Sequence, residues 1–356
     1  MKILVTGGAG YIGSVVAEEL LNNGYQVLVL DNLQQGHRQA VPEGAEFILA
    51  DICDVDRLEE VFRHWSIDAV MHLAAESTVG SSLTEPGRYF WNNVVGGLHL
   101  LEAMRRHQVD KLIFSSSAAV YGEPQAISID ESHPKLPINA YGESKLMFER
   151  ILDWYGRAHS LKYISLRYFN AAGASKLLGE DHRPETHLIP NVLKVALQTM
   201  AWRLGFKYQS QSHGPHSSRT REPEVVSVFG SDYPTKDGSC IRDYIHVIDI
   251  ARAHILALKN LQSSAPSSHP SVTFAYNLGN GEGYSVLEVI EMAKKVTGVN
   301  IPIKISARRS GDPAVLVASS NLVKTELSWE PAFPKLENII ESSWVWMKEH
   351  PDGYGE

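Results

Sequence analysis

The stretch YGESK, from Tyr141 to Lys145, sets a phenol and a primary amine four residues apart. On a helix, positions i and i+4 share a face, so both groups can reach one small molecule. A free phenol with a pKa near ~10 is a poor base at neutral pH, but a neighbouring ammonium and a positively charged ring favour its anion. Such a phenol can take the proton of a carbinol while hydride leaves the same carbon. Upstream, LIFSSS ends in three hydroxyls, Ser115, Ser116 and Ser117. Ser117 would hold the reacting oxygen, and Lys145 would supply charge and a hydrogen bond to a ribose. Alone, the Tyr/Lys spacing is common and is met as an ordinary surface pair, so its weight depends on what surrounds it.

The first residues supply those surroundings. KILVTGGAGYIGSVVAEELLNNGYQVLVLDN passes from an apolar β-branched run through glycines into a helix-period segment, then into a second apolar run. Gly7, Gly10 and Gly13 allow a tight turn and close approach of backbone to a pyrophosphate at the helix N-terminus. Asp31 ends the second run, where a carboxylate accepts from both ribose hydroxyls and repels a 2′-phosphate. The following Asn32, Leu33, Gln34 and Gln35 offer no cation for such a phosphate. The expected cofactor is therefore NAD, not NADP.

Further strand-like runs, AEFILAD, DAVMHLAA, KLIFSSS and KYISLRYFN, alternate with helical segments. Strands this apolar suit a sheet covered on both faces. The expected fold class is α/β, a Rossmann-type doubly wound parallel sheet with a smaller C-terminal α/β lobe. We place the NAD-binding domain at 1–170, with some later segments returning to it, and the substrate lobe mainly at 171–356. Arg203 to Glu224 and Gln262 to Ser271 read as polar loops, and 202–224 as an insertion. The first of these is either a flap over an anionic substrate or, more simply, a surface loop.

Bulk composition narrows the partners. The chain has 356 residues and a formal net charge of −8, with a pI near 6.0, which disfavours a nucleic-acid binder and favours small molecules. Cys53 and Cys240 are too few for a disulfide framework or a cysteine metal site, so a reducing cytoplasm fits. No signal peptide or long apolar run is evident, so no membrane partner is expected. The fifteen histidines show no HExxH or paired Cys/His spacing, and the pair His213 and His216 lies in polar surroundings. No metal is expected.

The motifs VTGGAGYIGS, SSSAAVYG, YGESK, LRYFNAAGA, VFGSDYPTKDGSCIRDYIHV, YNLGNGEGYSV and RRSGDPAVLVA together resemble the extended short-chain dehydrogenase/reductases, and within them the UDP-glucose 4-epimerase branch. The resemblance spans nearly the whole chain. It implies tightly held NAD, oxidation at carbon 4 of a UDP-hexose, turnover of the 4-keto sugar and return of hydride to its other face. It also implies a homodimer formed by the helix after Asn93 and the Tyr141 helix, with Leu98, Leu101 and Met104 along an apolar stripe that an ordinary core face explains equally well.

Carried over by motif, the implied cofactor contacts are Tyr11, Ile12, Asp31, Asn32, Asp51, Ile52, Leu73, Asn92, Ser115, Tyr141, Lys145, Tyr168 and Phe169, with Ala74, Ala75 and Ser77 beside them. The implied substrate contacts are Ser117, Asn170, His187, Leu188, Phe229, Arg242, Arg309, Asp312 and Leu316. Arg242 and Arg309 suit a diphosphate, and Asp312 suits ribose hydroxyls.

Related sugar dehydratases carry an Asp-Glu pair beside the catalytic hydroxyl, and decarboxylases a carboxylate nearby; this chain has Ala118 and Ala119, which cannot move protons. A non-catalytic NAD sensor on the same fold typically lacks the Tyr/Lys pair present here. Three positions depart from the branch. Ser77 replaces a common lysine, His187 a common asparagine, and Leu316 a tyrosine that narrows the sugar pocket in some members. The smaller Leu316 leaves open an N-acetylated sugar, and a UDP-pentose such as UDP-arabinose is also open.

Overall fold

The computed structural model describes the chain apart from residues 205–222, 264–273, 310–311 and 356. Its main element is a seven-stranded sheet: β1 (Lys2–Thr6), β2 (Gln26–Asp31), β3 (Glu46–Leu49), β4 (Ala69–His72), β5 (Lys111–Ser117), β6 (Lys162–Tyr168) and β7 (Phe274–Leu278). The spatial order is β7-β6-β5-β4-β1-β2-β3, and every pairing in it is parallel. Strand order therefore reverses at β1 and β4, which opens a crevice at the carboxyl ends of the strands where ligands bind in such sheets.

Alternate residues of β1 show why the sheet is covered on both faces. Ile3 and Val5 join a core with Val15, Val16 and Leu20 of α1 (Tyr11–Asn22) and with Ile250 and Leu258 of a later helix. Leu4 joins a second core with Leu58 and Phe62 of α2 (Val55–His64), Leu100, Leu101 and Met104 of α3 (Gly97–Arg106), and Phe148 and Leu152 of α4 (Ala140–His159). Leu101 and Met104 are each 1% exposed, so the stripe proposed for a dimer contact faces this core, with only Leu98 left half-buried.

A third core assembles α5 (Leu188–Arg203), α7 (Val286–Thr297) and α8 (Leu336–Glu349) around Val226, Val228 and Tyr244. The later helix that packs on α1 is α6 (Val247–Ser263). A reciprocal cap starts α7: the Ser285 hydroxyl accepts from the Glu288 N–H, and the Glu288 carboxylate accepts from the Ser285 N–H.

Two expected loops begin later than their sequence suggested. Arg203 ends α5, while Gln262 and Ser263 end α6; polar residues are readily accommodated on exposed last turns. The remainder of both predicted loops, including His213 and His216, lies largely outside the described residues. Among those described, no helix is long and apolar enough to cross a membrane.

Candidate active site

The glycine turn after β1 is dictated by contact. Gly7 has φ +72°, and a Cβ there would lie 2.5 Å from the Ala74 backbone nitrogen; at Gly13 one would lie 2.0 Å from the Gly7 carbonyl oxygen. Gly10 precedes α1 without a side-chain cap, so first-turn N–H groups are left for an anion. Asp31 fixes the turn from β2, its carboxylate accepting from the Ala9 N–H at 3.0 Å and the Leu33 N–H at 2.8 Å. Burial pushes the Asp31 pKa up, against the downward pull of those donors.

These groups open onto a cleft of ≈ 450 Å³, a volume in the ordinary range of about 300–1,000 Å³ for small-molecule sites. Its wall brings together most of the expected cofactor residues: Gly7, Gly10, Tyr11, Ile12 and Gly13 from the first turn; Asp31, Asn32 and Ile52; Leu73, Ala74, Ala75 and Ser77 after β4; then Asn92, Tyr168 and Phe169. A glycine turn that admits no side chain, uncapped amides and a carboxylate at the end of β2 fit NAD.

Ser117, Tyr141 and Lys145 line the same cleft. Asn139 caps α4, accepting from the Gly142 N–H at 2.8 Å, which starts the helix immediately before the tyrosine. Gly142 lets that first turn meet the chain after β5, since a Cβ would sit 2.4 Å from the Ala119 carbonyl oxygen. Tyr141 and Lys145 are 9% and 4% exposed. The Lys145 amine donates to the Ser115 carbonyl at 2.8 Å and lies 5.8 Å from the Tyr141 ring centre. Ser115 in turn shares a 2.5 Å hydrogen bond with the Tyr168 hydroxyl.

The electrostatics of the chain by itself differ from the sequence expectation. Burial raises the Tyr141 pKa, opposed by a hydrogen bond from Ser117, and burial lowers Lys145 to about 7 against the pull of Glu149. Both groups are thus pushed toward neutrality, because the ammonium meant to favour the phenolate is itself desolvated. The consequence for stability can be measured on cofactor-free protein. Below pH 7 the cost of burying an ammonium is fully present. Between 7 and the unfolded value of ~10.4 the unfolded chain binds more protons, so stability rises with pH. The urea midpoint of the native chain is expected to rise relative to Lys145→Met across that window; a constant difference would refute this.

Other expected residues separate into two groups. Asn170, His187, Arg242, Asp312 and Leu316 lie on the cleft wall. The Arg242 guanidinium donates to the Ile241 and Pro313 carbonyls at 2.9 and 2.8 Å and pairs with Asp312 at 3.3 Å. Asp51, Ser115, Leu188, Phe229 and Arg309 stand outside that wall. Asp51 accepts from Asn32 at 2.9 Å, Leu188 opens α5, and Arg309 lies over the Phe229 ring at 3.8 Å. The sequence reading missed Gln34, Glu76, Glu180 and His182, all on the wall. Glu180 and His182 carry a signal in GEDHRPETH, where acidic and imidazole groups recur at short intervals.

Residues 3–279 match the NAD dependent epimerase/dehydratase family. The chain is 50% identical to the UDP-glucose 4-epimerase of Halalkalibacterium halodurans, over 99% of this chain and 98% of that one. It is 45% identical to the UDP-glucose 4-epimerase of Lacticaseibacillus casei, over 100% and 99%. Among solved structures, UDP-glucose 4-epimerase from Brucella ovis in complex with NAD superposes with a TM-score of 0.85 at 41% identity, covering 97% of each chain. The Bifidobacterium longum enzyme in complex with NAD+ and UDP gives 0.86 at 37%, over 99% and 100%. With a Rossmann-type sheet, a glycine turn and a Ser/Tyr/Lys cleft alongside these likenesses, the chain belongs to the NAD dependent epimerase/dehydratase family, among its UDP-glucose 4-epimerases.

Proposed function

We propose that this chain interconverts UDP-glucose and UDP-galactose, with NAD held in the cleft. One observation carries the reading: Ser117, Tyr141 and Lys145 share one wall of that cleft, and the adjoining positions are Ala118 and Ala119. The first glycine turn, Asp31 and Lys145 would hold NAD+ in this cleft, where it would supply reversible hydride acceptance at carbon 4 of the sugar. Tyr141 holds and moves the proton of the 4-hydroxyl, Ser117 positions that oxygen, and Lys145 places a positive charge beneath the phenol when protonated. Ala118 and Ala119 provide no acid or base for eliminating water, so exchange at carbon 4 is the chemistry supported. Arg242, with Asp312, suits the UDP end of the substrate.

The remaining assignments of cofactor and substrate contacts, and the division into a nucleotide domain and a substrate lobe near residue 170, belong to this proposal. Incubating the protein with UDP-galactose, without added NAD, should yield UDP-glucose; no interconversion with or without NAD would overturn the reading.

A second substrate is supported by Leu316, which lines the cleft and packs against the group containing Ala118 and Phe169. A leucine lacks the ring and hydroxyl of tyrosine, leaving space for an N-acetyl group. Leu316→Tyr is expected to lower turnover of UDP-N-acetylglucosamine relative to UDP-glucose by about 10-fold or more, the scale of a clash of 1–3 kcal/mol. An unchanged ratio removes this steric account.

Assembly as a homodimer is also proposed. Trp91 and Trp154 are 61% and 66% exposed on adjacent helical segments, a costly use of apolar surface unless covered; light scattering tests this. The free thiols Cys53 and Cys240 fit residence in a reducing cytoplasm.

A further inference from the structure

Between the strand Asn170–Ala172 and α5, four side chains converge on one point: Glu180, His182, Glu185 and His187. Each offers one ligand atom, and all four atoms lie within 4.8 Å of one another. The Glu180 carboxylate touches the His182 imidazole, and Glu185 lies 2.8 Å from the His187 ring nitrogen. The same Glu185 oxygen accepts from the Thr186 and His187 backbone N–H groups at 2.7 and 2.6 Å, which fixes its direction. Asp181 is excluded from the group: its carboxylate accepts from the Tyr354 N–H at 3.0 Å and pairs with His37.

Charge makes the arrangement unusual. The Glu180 and Glu185 side chains are 10% and 13% exposed, and among the described residues no lysine or arginine forms an ion pair with either. Their ion-pair partners are His182 and His187, which the two carboxylates push toward the protonated form against the effect of burial, so the group balances its charge with two imidazolium protons. One dication can take the place of those two protons, ligated by two neutral imidazoles and two carboxylates, with no change in the net charge of the group.

We propose that Glu180, His182, Glu185 and His187 bind one divalent transition-metal ion of the Zn²⁺ class. Two imidazoles and two carboxylates suit a four-coordinate zinc-type site, whereas magnesium and calcium favour all-oxygen cages. Bonds of about 2.0–2.2 Å place tetrahedral ligands about 3.3 Å apart, so side-chain adjustments within the existing spread complete the shell. All four positions come from protein, leaving none for a reacting water, so the ion acts as a structural clip. Glu180, His182 and His187 also line the cleft; the clip therefore fixes the segment that closes one side of it and leads into α5.

Tag-free protein is stripped with a chelator, desalted, and reloaded with ZnCl₂ or CoCl₂. About one zinc per chain is expected to survive desalting, and cobalt is expected to give the intense visible absorption of a tetrahedral site. Both signals should be lost in Glu180→Gln/His182→Gln and in Glu185→Gln. A native chain that retains no metal, or shows only the weak spectrum of six-coordinate cobalt, overturns the proposal without recourse to variants. Variants that retain full zinc stoichiometry and the same cobalt spectrum overturn it equally.

Discussion

Tyr141→Phe should slow the exchange of UDP-galactose and UDP-glucose by about 10²–10⁴-fold, the usual contribution of a positioned acid or base, while leaving NAD bound. The ring is 9% exposed and packs at the start of a helix whose cap and glycine contact do not involve the hydroxyl. Removing one oxygen thus leaves the fold and the cofactor cradle in place, but takes away the proposed proton carrier and the group hydrogen-bonded to Ser117. The check is paired: turnover by a coupled UDP-glucose assay, and NAD released on denaturation. Full-speed exchange in the variant would remove Tyr141 from the chemistry. Loss of both activity and NAD would instead assign the hydroxyl to cofactor binding.

Arg167→Met is expected to cost about 3–5 kcal/mol of stability, the scale for stranding one member of a buried ion pair. Arg167 and Glu149 have side chains 4% and 9% exposed, joined at 2.6 Å, with a second contact of 2.8 Å. Ser116 donates to the same carboxylate at 2.6 Å, and Arg167 donates to the Tyr121 hydroxyl, which donates to Asn277. Without the guanidinium, Glu149 keeps one hydroxyl donor and loses its ion-pair partner, leaving only the more distant field of Lys145. The urea midpoint reads the loss. In Arg167→Met/Glu149→Leu most of it should be recovered, since an apolar pair leaves no stranded charge. A single variant within about 1 kcal/mol of the native chain would show that the pair is not the source of stability. Glu149 also raises the Lys145 pKa, so this network reaches the Lys145 amine in the cleft through its field.

How much was legible in advance followed from how local each signal is. The β1-α1-β2 unit could be read because strand, glycine turn and helix are contiguous and each has its own period or steric need. The Tyr141 helix was readable from the i, i+4 spacing of Tyr141 and Lys145, whereas its Asn139 cap and the close approach at Gly142 emerged only from the structure. By contrast, the stripe of Leu101 and Met104 looks the same in sequence whether it covers its own sheet or a partner, and only packing showed that it covers the sheet. Glu180 and His182 fit no standard spacing, so the turn that brings them to Glu185 and His187 had to be seen.

The sequence by itself determined the dinucleotide turn, the parallel apolar strands and the triad of Ser117, Tyr141 and Lys145, because backbone sterics and short periodicities act over a few residues. Only the tertiary structure decided that β7 joins the sheet beside β6, that Arg242 meets Asp312 across 70 positions of chain, and that burial drives Lys145 toward neutrality. Those outcomes depend on which distant surfaces exclude water from one another, and desolvation is a property of the assembled volume.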